Sequence, residues 1–304
     1  MSETDADDDY IRSVERAFRI VKALEQDEGM TMSELAAKLD IPQSTAHIHL
    51  KTLQKTGYIV RDDNVYNLGL RFLKHGGYVR HRLQVYQAAK SEIDALAHRT
   101  GEVVDFGIEE KGKRVLVYKS EGPDVVTQKP VTGDYAHMHM TALGKAMLSV
   151  LDEERVDEII DEHGLPKATQ HTIDDRADLH AELDRTRERG YSIENQERRE
   201  GIRAVGVPID LEGDMTSSFS ISGPMSTLTE SRIDELQGQI HDSVNVIERL
   251  LPNLAKHVDD EAVKKSVQRC SSKVERPDEP VGSDGLLQSW FGETTEFRQP
   301  RIQK

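Results

Sequence analysis

The sequence predicts an α+β fold, and three observations along its 304 residues support that class. Before residue 56, apolar residues recur at helical spacing in three short segments, which two strand-like segments follow. Beyond Gly101, strand-like segments alternate with helical ones, as in an antiparallel sheet covered by helices. This periodicity ends near Pro252, so residues 253–304 are predicted to be a mostly disordered tail.

The first two helices are predicted from their apolar spacing and their caps. Residues 1–9 are acidic and are predicted to be a disordered leader, after which Ser13 is placed to cap the first helix. Thr31 and Glu34 have the spacing of a capping box and begin the second helix. The apolar stripe of the first helix comprises Val14, Ala17, Phe18, Ile20, Val21 and Leu24.

A third helix follows the break at Pro42, with Ser44 or Thr45 as its cap and Gly57 just past its end. Two short strands then meet at a turn over residues 62–64. The order of helix, helix, tight turn, helix and hairpin is that of a winged helix-turn-helix. In that arrangement the helix after the turn enters the major groove of DNA.

The distribution of charge favours the same interpretation. The chain has 55 acidic and 40 basic residues, which indicates a halophilic host or a solvated acidic surface. The segment Pro42 to Val60 nevertheless contains no acid, and residues 41–91 carry eight Lys or Arg but two Asp. A basic segment of this kind in an acidic chain indicates a polyanion partner. The alternative is a basic patch that pairs with acidic surface of the same protein.

The second half of the chain predicts helices and an antiparallel sheet. From Leu70 to Thr100 the pattern predicts one long helix or two, with a break at Gly76-Gly77. Two strands flank the turn "EEKGKR", and "YSIEN", "RAVGVPID" and "TSSFSISGP" are further strand-like segments. The helical segments between and after them include "TALGKAMLSVL", "ERVDEIIDEHG", "RADLHAELDRTRERG" and "TESRIDELQGQIHDSVNVIERLL".

Several motifs, in order and spacing, resemble the isocitrate-lyase-regulator (IclR) family of transcription factors over about residues 11–252. They are "SVERAFRIVKAL", "SELAAKLDIPQSTAHIHLKTLQKTGYI", "YNLG", "HMTALGKAML" and "GYSIENQERREGIRAVGVPI" with "SFSISGP". The resemblance implies a winged helix-turn-helix over 10–75, a linker helix over 76–100 and a GAF-like α+β effector-binding domain over 101–252. It also implies a homodimer or homotetramer without catalytic activity or cofactor.

A helix docked in the major groove presents its N-terminal, outward-facing residues to base edges and its lysines to phosphates. The family usually has Arg where Ile48 stands, so fewer charges are expected in the groove. The DNA-binding residues predicted here are Gln43, Ser44, Thr45, His47, Ile48, Lys51, Lys55 and Arg61.

The resemblance also implies a ligand site, and we expect a small carboxylate or a sugar-derived metabolite there. Thr141 would begin a helix whose N–H groups suit an anion. Ser220 and Ser222, two residues apart, would share one face of a strand. The family often has Cys at the position of Ala204. The predicted effector residues are Thr141, Ala142, Glu194, Ala204, Ser220 and Ser222.

Other functions find less support. His137-x-His139, with His163 and His171 elsewhere, has a spacing that allows metal binding, but the single cysteine excludes a Cys-based cluster, and no metal is expected. No phosphate-binding loop or nucleophile elbow indicates an enzyme. A sensory or protein-interaction module whose winged helix does not bind DNA is the remaining alternative. No apolar run reaches the ~18 residues of a membrane span, and the acidic N-terminus lacks signal-peptide features. A cytoplasmic protein is therefore expected.

Overall fold

The computed structural model describes residues 11–123, 132–209 and 215–258. The predicted acidic leader and nearly all of the predicted tail lie outside these ranges. Residues 1–254 form one unit, and the second unit, 255–304, is described only at the end of the last helix. Within the described ranges the chain is α+β with antiparallel sheets, as predicted. None of the helices described there is long and apolar enough to cross a membrane.

The N-terminal part contains three helices and a small antiparallel sheet with the strand order β1-β3-β2. The helices are α1 (Arg12–Gln26), α2 (Met32–Leu39) and α3 (Gln43–Lys55). The strands are β1 (Met30–Thr31), β2 (Ile59–Asp62) and β3 (Val65–Leu68). Their shared core includes Ile20, Leu24, Leu35, Leu50 and Ile59. The predicted winged helix-turn-helix is confirmed.

The predicted helix caps are confirmed in one of three cases. Thr31 accepts the N–H of Glu34, whose carboxylate accepts the N–H of Thr31 at 2.8 Å. Ser13 instead lies inside α1, after Ile11. Ser44 and Thr45 lie inside α3, because Pro42, with φ of −57°, occupies the cap position and its carbonyl accepts the first helical N–H groups.

The predicted break at Gly76-Gly77 is wrong. Helix α4 (Arg71–His81) runs through both glycines, and the chain turns at Leu83 before α5 (Gln84–Thr100). Each glycine costs the helix about 1 kcal/mol relative to alanine, but it keeps its backbone hydrogen bonds. Leu83 is extended (φ −77°, ψ 103°), which lets α5 bury an apolar side against the large sheet. The segment predicted as a linker helix therefore contains two helices.

The C-terminal part is a six-stranded antiparallel sheet with the order β6-β5-β4-β9-β8-β7. Its strands are β4 (Val103–Glu110), β5 (Lys113–Glu121), β6 (Tyr135–His137), β7 (Ser192–Asn195), β8 (Ile202–Ile209) and β9 (Ser217–Pro224). Its helices are α6 (Ala142–Ser149), α7 (Glu153–His163), α8 (Arg176–Arg189) and α9 (Glu230–Val258), with a short 3-10 turn before α6.

Alternation along the strands gives this sheet two different faces. Val104, Phe106 and Ile108 share a core with α5 and α9. On the opposite face, Leu116 joins a second core formed by α6, α7 and α8. The remaining rows of this opposite face carry four of the predicted effector residues, Glu194, Ala204, Ser220 and Ser222. We call it the ligand face, after the effector binding predicted for these residues.

Candidate DNA-binding helix and ligand site

Helix α3 is amphipathic, and its outward side carries the predicted DNA-binding residues. Ala46 and Leu50 are fully buried, whereas Ile48 is 65% exposed. Thr45 is half-buried at the first turn. The predicted residues of α3 that are exposed are Gln43, Ser44, His47, Ile48, Lys51 and Lys55. The helix therefore presents a mixed polar and apolar surface without a carboxylate.

The C-terminal end of α3 is held by the start of α4. Arg71 donates to the carbonyl of Thr56 at 2.6 Å, and Gly57 takes the left-handed conformation (φ +78°) expected after a helix. Tyr58 packs edge-on against Phe72 at 5.0 Å and hydrogen-bonds His75 at 2.7 Å. The orientation of α3 is therefore coupled to α4.

Arg61 belongs to the wing, the hairpin of β2 and β3. Its guanidinium donates to the carbonyl of Asp63 at 2.6 Å and to the side chain of Asn64 at 2.8 Å, and it stacks over Tyr66. Asp63 adopts a positive φ of 49° there. The structure thus places Arg61 in the wing turn, apart from the α3 residues, with two of its five N–H donors already used.

Three predicted effector residues lie side by side on the ligand face. Glu194, Ala204 and Ser222 are direct neighbours across β7, β8 and β9. Ser220 lies in the next row, between Gly206 and Asp105. Cross-strand partners share one face of a sheet, so these residues converge although they are far apart in sequence.

The start of α6 is packed tightly onto this face. Thr141 caps the helix by accepting the N–H of Gly144 at 2.9 Å. Its hydroxyl oxygen is therefore already used in a hydrogen bond within the protein. Serines from β7 and β9 donate to α6 carbonyls, Ser192 to Ala142 at 2.6 Å and Ser218 to Leu143 at 2.9 Å. A Cβ at Gly206 would lie 2.7 Å from the Ala142 carbonyl, so only glycine permits this approach. Thr141 and Ala142 are thus placed by the sheet beneath them.

Sequence reasoning missed the buried charges near this face. Arg114 on β5, Lys145 on α6 and Glu197 after β7 are buried, and Asp105 on β4 is half-buried with its Oδ1 shielded from solvent. A signal was present for two of them. Asp105 interrupts the apolar run "EVVDFGI", and Lys145 stands alone in the apolar helix "TALGKAML". A charge inside a buried segment requires a partner or a function.

Lys145 is fully buried and paired. Its ammonium donates to both carboxylate oxygens of Glu197, at 2.6 and 2.7 Å, and lies 3.9 Å from Glu182. Burial acts to raise the pKa of Glu182, but Lys145 and Arg189 hold that pKa below its usual value. The hydroxyl of Thr172 donates to the carbonyl of Glu197 at 2.5 Å. The loop after β7 is therefore fixed to α6.

Glu194 is the one carboxylate among the predicted effector residues, and its pKa is shifted. Burial raises its pKa to about 7, against the N–H of Arg198, which donates to its carboxylate at 3.3 Å. The nearby Glu197 raises this pKa further, and Lys145 lowers it. Near neutral pH the side chain can therefore accept or donate a hydrogen bond to a ligand.

Glu194→Gln is expected to remove a pH dependence of stability. The folded pKa lies above the ~4.3 of an unfolded glutamate, so the stabilising contribution of Glu194 is complete below about pH 4 and is lost as the pH rises through 7. The variant should therefore be more stable than the native chain at pH 8, by roughly 2–3 kcal/mol, and similar at pH 4. Urea unfolding followed by circular dichroism from pH 4 to 8 measures this. The exposed Glu188→Gln is the control, and an unchanged profile in Glu194→Gln would contradict the assignment.

The histidines singled out by spacing lie near one another. The rings of His137 and His139 are 5.7 Å apart, and those of His137 and His163 are 6.3 Å apart. Burial lowers the pKa of His139 to about 4, and its Nε2 lies 3.2 Å from the carbonyl of Pro166. Among the residues that the structure describes, no group of three or more His, Cys, Asp or Glu could hold a metal ion.

A cavity of about 810 Å³ opens away from the predicted effector residues. It is lined by the end of β8, the start of β9 and α9, including Ile209, Thr216 and His241. Its Arg155 already pairs with Glu158 at 2.9 Å. None of the predicted effector residues lines this cavity.

Comparison with known proteins agrees with this geometry. Residues 13–63 match the IclR helix-turn-helix domain, and residues 77–249 match the C-terminal domain of the bacterial transcriptional regulator IclR. The probable HTH-type transcriptional regulator ArcR of Halobacterium salinarum is 29% identical over 244 residues, which span 78% of this chain and 93% of that protein.

Two solved structures share the fold. The crystal structure of the Thermotoga maritima IclR has a TM-score of 0.68 at 28% identity, covering 80% of this chain and 99% of that one. An IclR homologue of Microbacterium hydrocarbonoxydans complexed with 4-hydroxybenzoate also has a TM-score of 0.68, at 19% identity, covering 79% and 99% of the two chains. At 19% identity, the comparison with this second structure shows a shared fold alone.

Proposed function

The chain belongs to the IclR family of transcriptional regulators, and on that premise we propose that α3 reads operator DNA under the control of a small carboxylate metabolite bound at the ligand face. The observation that carries this proposal is the outward side of α3. It exposes hydrogen-bonding, apolar and basic side chains in the absence of any acid on the helix. We also propose that the protein acts in the cytoplasm and catalyses no reaction.

Each type of side chain on α3 has a role in groove binding. Gln43 can pair bidentately with adenine, and Ile48 can contact a thymine methyl group. Lys51 and Lys55 lie one helical turn apart, where they suit neighbouring phosphates. A carboxylate anywhere on this surface would repel the DNA backbone and offset one lysine contact.

Footprinting of the full-length chain on DNA upstream of its own gene tests this function. We expect one protected site with two related halves, separated by one helical turn or a multiple of it. A metabolite that binds the ligand face should change the occupancy of this site. A chain that protects no site and binds scrambled DNA equally well would instead favour a protein-interaction role for the winged helix.

Ile48→Arg is expected to tighten binding to operator and unrelated DNA alike. The exposed Ile48 would be replaced by a cation at the groove, which adds one phosphate or guanine contact. The salt dependence of log affinity should steepen by about 0.9 per added phosphate contact. Fluorescence anisotropy from 0.1 to 2 M KCl measures both, and the native chain should keep its operator preference at molar salt. No change in affinity or slope would place residue 48 off the DNA.

We further propose that two copies pair through α1 and α4. Ile11, which precedes α1, and Val14 and Phe18 within it have the spacing of one helical side, and Phe18 is 66% exposed. Helix α4 buries none of its residues, and its Leu73 is 70% exposed. Such exposed apolar surface on two helices is typical of an interaction site, and DNA half-sites require two copies of the reading helix.

Phe18→Glu is expected to give a monomer that binds the operator at least ~100-fold more weakly, because each monomer contacts one half-site. Multi-angle light scattering gives the mass, and anisotropy gives the affinity. Ser13→Glu adds the same charge on another side of α1 and should remain dimeric. A dimeric Phe18→Glu protein with native affinity would rule out this surface.

A further inference from the structure

Two buried polar atoms without partners lie on the ligand face. Among the described residues, the unpartnered buried side-chain atoms are Asp105 Oδ1, Arg114 Nε and Ser217 Oγ. Burying a polar atom without a partner is unfavourable, and for charged groups the cost is greatest. Two such atoms on adjacent strands of one site indicate that a bound molecule supplies their partners.

Arg114 reaches along the ligand face from β5. It is 2% exposed, and a Cβ at Gly107 would lie 3.3 Å from its Cγ and Cδ, so the side chain passes over this glycine. One guanidinium nitrogen donates to the carbonyl of Asp134 at 3.4 Å, which leaves Nε free. Burial lowers the pKa of Arg114 to about 10, so it is still charged at neutral pH. A guanidinium with an unused N–H donor suits a carboxylate.

Asp105 of β4 offers a hydrogen-bond acceptor on the same face of the sheet. It is paired across the strands with Ser220, and Ser222 donates to its Oδ2 at 3.4 Å. Its other oxygen, Oδ1, is buried and has no donor. A ligand hydroxyl or ammonium could donate to it.

The surrounding charge favours a hydroxyl. Burial raises the pKa of Asp105, and the cations Lys119, Arg114 and Arg198 act on it in the opposite direction. A ligand ammonium at Oδ1 would meet these three cations, whereas a hydroxyl donates a hydrogen bond without adding positive charge.

We propose that the effector is a hydroxycarboxylate, whose carboxylate is bound by Arg114 and whose hydroxyl donates to Asp105. This inference rests on the proposed function, because it takes the ligand face as the effector site. It adds two specificity-determining residues to those implied by the family resemblance. A site that hydrogen-bonds a hydroxyl strongly rejects an analogue without it, since the buried acceptor is then unpaired.

Calorimetric titration of the full-length, DNA-free chain with two matched series tests the ligand class. The short series is lactate, propionate, alanine and 1,2-propanediol, and the long series is gluconate, hexanoate, norleucine and glucose. We expect the hydroxy acid of at least one series to bind at least 10-fold more tightly than its three analogues. Binding of neither hydroxy acid, or equal binding of an analogue, overturns the proposal.

Variants of the two residues separate recognition from structure. Asp105→Ala should abolish the preference for the hydroxyl, and Asp105→Asn, which keeps an acceptor oxygen, should retain part of it. Arg114→Lys should weaken carboxylate binding at least 10-fold. If Asp105 recognises the ligand, Asp105→Asn should change the ligand preference, whereas a purely structural role would change only the thermal midpoint of the ligand-free chain. A lowered midpoint with unchanged ligand preference would make Asp105 structural and overturn the proposal.

The same preparations are titrated with operator DNA. If the native chain binds its operator but shows no hydroxy-acid preference, this inference fails and the proposed regulator function stands. If the native chain fails to bind its operator, the proposed function fails independently of the ligand series.

Discussion

Replacing Lys145 with methionine is expected to lower the free energy of unfolding by about 3–5 kcal/mol. Lys145 is fully buried in α6, and both oxygens of Glu197 lie within 2.7 Å of its ammonium. Methionine fills similar space but leaves Glu197 as a buried carboxylate without its cation. The penalty comes from that remaining charge, which cannot return to water while the fold is intact.

A double-mutant cycle isolates this interaction. Glu197→Leu alone should also be strongly destabilising, because it leaves Lys145 without its principal partner. The double replacement Lys145→Met with Glu197→Leu should recover most of the loss, since no unpaired charge remains. Urea unfolding followed by circular dichroism gives the free energies of unfolding of the two single variants and the double variant.

An exposed ion pair provides the matched control. Lys167 and Asp174 are as close, at 2.6 Å, but both side chains are about half exposed. Lys167→Met should therefore cost at most about 1 kcal/mol. A Lys145→Met chain that loses no more stability than Lys167→Met would show that the buried pair does not hold α6 to the loop after β7.

The N-terminal fold was predictable because its signals are local. The capping box at Thr31, the hairpin turn after Asp62 and the glycine after α3 each act over a few residues. The wrong predictions arose where tertiary packing overrides a local preference. Gly76 and Gly77 remain helical, and the break occurs at Leu83, where α5 must turn onto the sheet.

Solvent exposure on α1 also departs from the sequence pattern. Its apolar stripe has two sides: Ile20 and Leu24 are buried, whereas Val14 and Phe18 are exposed. The sequence predicted one amphipathic face and could not separate a core from a surface that a second copy would cover. Periodicity reports which residues are apolar, and the packing of neighbouring elements decides which of them meet water.

The ligand face was predictable in part. The family motifs indicated Glu194, Ser220 and Ser222, and strand register brings their rows together. Asp105 and Arg114 were missed because their proximity depends on the pairing of β4 with β5 and β9, which a single sequence does not specify. The structure also shows that one polar atom of each, Asp105 Oδ1 and Arg114 Nε, is buried without a partner.

Lys51→Glu and Lys55→Glu are each expected to weaken DNA binding at least ~10-fold, and about 100-fold or more together. Both lysines are exposed on α3, which carries no acid of its own. Each change removes one phosphate contact and introduces a repulsive charge beside the DNA backbone. The slope of log affinity against log salt should become shallower by about 0.9 for each lost contact. Because phosphate contacts carry no sequence information, affinity for operator and scrambled DNA should fall alike.

The most direct test of α3 as the DNA-reading helix is an anisotropy titration of operator and scrambled duplexes with the native chain and three single variants. Lys51→Glu and Lys55→Glu should lose affinity and salt dependence on both duplexes. Lys167→Glu makes the same change of charge on an exposed side chain in the loop after α7 and should stay within about twofold of native affinity. If the two α3 variants instead bind both duplexes as Lys167→Glu does, α3 does not contact DNA and the account is wrong.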